Sequence, residues 1–112
     1  MPLTNGPTRT GPTGGQVLAE VLFPWPRTIR ALLIVSATYP IDLLVETWNA
    51  EGTVMQDFVL LVNAPLWSSP MLGPFTLPAN GRLRVIVRST PAVAPSPHEV
   101  QANIFWRDWA ER

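Results

Sequence analysis

A chain of 112 residues and 12.4 kDa is long enough for one hydrophobic core and too short for two, so its function must be carried by a single small domain. Only 14% of the residues are charged, against roughly 25% in an ordinary soluble domain, and eight basic residues balance eight acids to a net charge of zero. Nucleic-acid binding, which calls for a basic excess, is excluded as an expectation, and the absence of cysteine removes disulfides, thiolate zinc sites and a cysteine nucleophile.

The first fifteen residues, rich in Gly, Pro and Thr, carry one large apolar side chain, Leu3, after Met1. Such a segment buries too little surface to offset its ordering entropy, so residues 1–15 are read as a mobile or extended arm and residues 16–112 as the domain. The opening residues lack a basic stretch followed by an apolar one, so no secretory signal is expected, and apolar runs of about five residues are far short of the roughly 20 that span a bilayer. No membrane partner is expected. The basic residues are all arginine, which a GC-rich genome explains without a selected role.

Beyond the arm, seven apolar runs follow in order: 16–23, 28–38, 41–48, 53–63, 72–77, 82–88 and 99–106. They are rich in Val, Ile, Leu and Phe, and prolines stand near their ends, which marks strands rather than helices. This spacing predicts an all-β, antiparallel β-sandwich, a jelly roll of seven to eight strands. Alternation sends Leu83, Val85 and Val87 inward and Arg82, Arg84, Ile86 and Arg88 outward. It likewise sends Ile41, Leu43 and Val45 inward and Asp42, Leu44, Glu46 and Trp48 outward, where the acids can meet the outer arginines. Ile29–Val35 and Phe58–Val62 are apolar on both faces, the pattern of central strands covered on their second side by an arm, a loop or a neighbouring subunit. Tight hairpins are expected at Trp48–Thr53 and Leu77–Arg82. Thr90–His98, with three prolines, reads as an extended connection between sheets or a protruding loop, and Asp108–Arg112 as a single helical turn.

Catalysis finds little support. His98, the one candidate base, sits in a proline-rich loop and is expected to be solvated. Asp42 and Glu46, four residues apart on one strand face, would stand about 13 Å from each other, too far for either glycosidase mechanism. There is no dense carboxylate loop for calcium and no glycine loop opening a helix for phosphate, so neither a metal nor another cofactor is expected.

The five tryptophans are the remaining candidates. Trp106 shares the inward parity of Ala102 and Ile104 and reads as core, whereas Trp48 fits turn packing and exposure equally. Trp25, Trp67 and Trp109 leave the regular strands; each either caps an open end of the sandwich or contacts a partner, and at least one is expected to do the latter. With the arm residues Leu3 and Arg9, and Phe105 on the last strand, Trp25, Trp48, Trp67 and Trp109 form the set of candidate partner contacts.

Three classes of function compete. A structural subunit would use its arm and weakly charged surface to associate with itself and a lattice. A carbohydrate-binding module would stack loop tryptophans on sugars, and a small jelly-roll hydrolase would need acid/base groups that the chain hardly supplies. The Gly/Pro/Thr-rich arm, the segment Ile41–Leu61, the run Phe75-Thr76-Leu77-Pro78-Ala79-Asn80-Gly81-Arg82-Leu83-Arg84-Val85 and the closing Val100–Arg107 together resemble the small jelly-roll decoration, or cement, proteins of tailed bacteriophage heads. That resemblance covers most of residues 16–107 and rests on pattern, with no diagnostic motif. It implies a non-enzymatic virion protein, a homo-oligomer and often a trimer, seated on the outer surface of the major capsid protein lattice and assembled in the host cytoplasm. Related folds also serve as tail, fibre or spike components.

Overall fold

The computed structural model describes residues 3–10, 12–63, 65–89 and 98–109. Among these residues there are ten strands and no helix. Seven strands coincide with the runs read from sequence: β3 (Val17–Phe23), β4 (Arg27–Ala37), β5 (Ile41–Trp48), β6 (Val54–Val62), β8 (Leu72–Leu77), β9 (Gly81–Ser89) and β10 (Glu99–Asp108). Three short ones are additional: β1 (Leu3–Asn5), β2 (Arg9–Thr10) and β7 (Leu66–Ser68).

All pairings are antiparallel. Sheet I runs β1-β10-β4-β7, with β2 also on β10 and β8 also on β4, and sheet II runs β3-β9-β5-β6. The partners nest: β1 and β2 lie on β10, β3 on β9, β4 on β7 and β8, and β5 on β6. This is one long hairpin wound on itself, the jelly roll, with two of its eight strand positions each broken into a pair of short strands.

Between the sheets lies one apolar layer. Ile29, Leu33 and Val35 of β4, Leu43 and Val45 of β5, Leu83, Val85 and Val87 of β9, and Val100, Ala102 and Ile104 of β10 are at most 1% exposed, as the alternation requires. A bulge between Val17 and Ala19 turns the consecutive Leu18 and Ala19 to the core. At one open end, half-buried Trp106 meets Phe23 edge-on at 4.9 Å, and the Arg27 guanidinium lies 5.0 Å from the Trp106 ring while pairing with Asp108 at 2.9 Å. At the β6 side, Phe58 stacks on Phe75 with ring centroids 5.9 Å apart.

Several expectations change. Phe58–Val62 lies on β6, which among the described residues pairs with β5 alone, and is therefore an edge strand and not central. Leu77–Arg82 is a tight turn, with Asn80 at φ 61° and the Gly81 amide donating to the Pro78 carbonyl at 2.9 Å, yet it carries the chain from sheet I to sheet II and is not a hairpin. The Trp48–Thr53 hairpin does form, closed by Asn49, whose Oδ1 accepts from the Thr53 amide at 2.8 Å. His98 is 4% exposed, edge-on to Tyr39 at 5.9 Å, and so is buried where solvation was expected. Asp108 closes β10 and Trp109 lies in a turn; residues 90–97 and 110–112, which hold most of the proline-rich connection and of the expected helical turn, lie outside the described residues.

Residues 3–10, read from sequence as part of an arm, run along β10 of their own domain. Leu3, Thr4 and Asn5 pair with Phe105, Ile104 and Asn103, and Arg9 and Thr10 pair with Val100 and Glu99. Gly6 is the pivot: its amide donates to the Ala102 carbonyl at 2.9 Å, and its own carbonyl accepts from Gln101 Nε2 at 2.9 Å. A Cβ at Gly6 would collide with the backbone oxygens of Leu18 and Ala102, so the segment lies this close only because the residue is glycine. On the other side of sheet I, the break between β7 and β8 leaves the Leu33 amide without a ladder partner, and buried Ser69 supplies Oγ at 2.8 Å in its place.

Two outcomes are expected. Gly6→Ala lifts the 3–10 segment, so the amides of residues 4–6 and 8–10 exchange hydrogen much faster while those of β5 and β9 keep their protection, read by hydrogen–deuterium exchange. Ser69→Ala leaves the buried Leu33 N–H unpaired and lowers unfolding free energy by about 1–3 kcal/mol in a denaturant titration.

Candidate functional site

Because one parity of each long strand faces the core, the other parity builds two outer faces. On sheet II, Val17, Ile86, Leu44 and Val59 stand in register across all four strands. Their neighbours bury Ile86 to 8% exposure, but toward the β6 edge the row opens: Val59 is 42% and Leu61 66% exposed, with Met55 also exposed. An unpaired edge with exposed apolar side chains is one that proteins ordinarily protect with charge or cover.

The adjacent row is Glu20–Arg84–Glu46–Asp57, again one residue from each strand. Arg84 turns to Glu20, which also holds Arg82 at 3.1 Å, and the Arg84 guanidinium covers the Trp48 ring at 4.4 Å. The expected pairing of outer acids with outer arginines is thus seen for Asp42 and Arg88 at 3.9 Å. Glu46 instead accepts from Trp48 Nε1 at 3.2 Å, because Glu20 takes the arginine opposite it. These ion pairs are part-exposed and contribute little to stability, about 1 kcal/mol or less each.

On sheet I, the outer row Leu3–Phe105–Leu32 crosses three strands. Beside it Arg107 and Arg30 stand directly opposite each other on β10 and β4, and the Nε atoms of both are enclosed without an acceptor. Trp109 follows, its amide bonded to the Thr28 carbonyl at 2.9 Å and its ring 4.9 Å from the Arg30 guanidinium. Leu66 lies farther along the same sheet, 70% exposed.

The candidate contacts therefore separate. Leu3, Phe105 and Trp109 come together on the outer face of sheet I. Trp25, in the β3–β4 turn, is 71% exposed, whereas Trp67 is half-buried against the core and Trp48 is half-buried beneath Arg84. Arg9 is half-buried in β2, its Nε enclosed and unpartnered. Sequence reasoning missed Leu32, Arg30 and Arg107. The outward parity of Arg30 and Leu32 follows from placing Ile29 and Leu33 inside, but setting Arg107 against Arg30 requires the register of two strands distant in sequence.

For small-molecule chemistry, two shallow, half-open depressions among the described residues measure about 250 and 240 Å3, below the roughly 300–1,000 Å3 of ordinary ligand pockets. One lies along Thr8, Ser36, Thr38 and Gln101, the other along Trp48, Glu51, Arg82 and Arg84. Among the described residues no three His, Asp or Glu side chains gather where they could hold a metal ion.

If Val59 and Leu61 serve an outer surface and not the core, Val59→Thr with Leu61→Thr shifts unfolding free energy by no more than about 0.5 kcal/mol, whereas Val45→Ala costs about 2 kcal/mol or more in the same denaturant titration. No protein-family model, curated protein or solved structure matches the chain.

Proposed function

We propose that this chain is a non-enzymatic structural subunit that associates with copies of itself and seats on a larger protein lattice, the role of the bacteriophage capsid decoration proteins that its sequence pattern resembles. The observation that carries the reading is the pair of outer faces: beyond a complete inner core, both sheets present apolar side chains, from Leu3 and Phe105 on sheet I to Val59 and Leu61 on the open edge of sheet II. A stable monomer gains nothing from these residues, and a lattice subunit buries them. In the capsid setting the partner is the major capsid protein, and the place of action is the outer surface of the virion.

A sugar-binding role finds less support. A strand rise of about 3.4 Å per residue puts roughly 27 Å between Arg27, beside Trp25, and Val35, which is paired with Trp67, so the two tryptophans sit near opposite ends of β4 and cannot form one stacking platform.

Sedimentation of the full chain at micromolar concentration is expected to show an oligomer, with a trimer the favoured species. A strictly monomeric protein overturns the proposal, as does glycan-array binding that disappears on Trp25→Ala or Trp67→Ala.

A further inference from the structure

The zero net charge of the chain conceals a division. Arg27, Arg82, Arg84 and Arg88 pair with Asp108, Glu20 and Asp42 inside the domain. The described charges left without an ion-pair partner are Arg9, Arg30, Arg107 and Glu99 on sheet I and Glu46, Glu51 and Asp57 on the β5–β6 hairpin of sheet II; Arg30 and Arg107 stand together on β4 and β10, whereas Arg9 and Glu99 lie at the other end of β10. On sheet I the like charges Arg107 and Arg30 sit side by side, an arrangement that is unfavourable in an isolated domain, while on sheet II Glu51 and Asp57 are exposed and Glu46 is buried and bonded to Trp48. Each charged group also borders apolar surface: Phe105 and Leu32 lie one row from the arginines, and Val59 and Leu61 lie along the strand from Asp57.

We infer that copies of this chain assemble head to tail, the outer face of sheet I of one copy seating on the β6 edge of sheet II of the next. The inference rests on the self-association proposed above and adds which surfaces meet. Symmetry and charge select this mode over its alternatives. A two-fold interface places the same patch on both partners, so sheet I against sheet I would crowd four arginines together, and hairpin against hairpin would do the same with four acids, Glu51 and Asp57 of each copy. Only the heterologous contact sets arginines against acids while joining the two apolar strips. Such a heterologous contact yields a ring where the rotation between successive copies closes.

The test is charge exchange on the full chain, read by sedimentation, with near-ultraviolet circular dichroism confirming that each variant retains the fold. Either the double variant Arg30→Glu/Arg107→Glu or the double variant Glu51→Arg/Asp57→Arg places like charges across the contact, and each is expected to weaken association by at least about a hundredfold. Combining all four changes restores opposite signs and is expected to recover at least about tenfold of that loss. An oligomer in which neither double variant weakens association, or in which the fourfold variant is weaker still, overturns the head-to-tail interface and leaves self-association standing. A wild-type chain that stays monomeric up to about 100 μM overturns both.

Discussion

Successive side chains of a strand point to opposite faces, and the molecule depends on keeping that alternation in phase across two sheets at once. Every strand that reaches the centre contributes one parity to a single apolar layer, where Leu33, Leu43, Leu83 and Ile104 are fully enclosed. Each such side chain is worth about 1.5–3 kcal/mol relative to an exposed one. A slip of one residue in any register would exchange this layer for Arg30, Glu46 or Arg84, so the core fixes the registers and the registers in turn fix what the outer faces present. The bulge at Leu18, the Ser69 hydroxyl at the β7–β8 break and the bare backbone of Gly6 are local adjustments that hold the phase where the ladder is interrupted.

Alternation is written locally, and what is local in this fold was legible in the sequence. The seven long strands, the inward sets of β5, β9 and β10 and the Asn-closed β5–β6 hairpin follow from periodicity and turn chemistry alone. Pairing is not local. Two apolar faces made β4 and β6 look alike, yet β4 has neighbours on both sides and β6 on one, a difference set by strands far away in the chain. Asn80-Gly81 signals a tight turn equally well whether the chain returns to the same sheet or crosses to the other. The 3–10 segment lacks the apolar content of a core strand; it is held by backbone hydrogen bonds and a close approach at Gly6 that composition does not report. The burial of His98 against Tyr39 likewise depends on a contact across nearly sixty residues.

The outer faces show the same division between composition and placement. Eight arginines against eight acids describes a neutral chain, and only the registers reveal that four of those arginines are consumed internally while two others stand together on one sheet. Weak, part-exposed ion pairs add little to folding, but they decide which charges remain to meet another surface. Low overall charge therefore has a specific meaning in this molecule: the charges are few, and their arrangement distinguishes one face from the other.

The pairing of β10 with β1, β2 and β4 also dictates an order of events during synthesis. Residues 99–108 leave the ribosome after every segment they pair with, so until then β4 displays a bare hydrogen-bonding edge over nine residues, 29–37, most of it apolar on both sides. Sheet II lacks β9 for nearly as long, leaving β3 and β5 without the strand that joins them. The nascent chain thus passes through an interval in which its most adhesive strand is uncovered, and the arrival of its last strand is what ends that exposure.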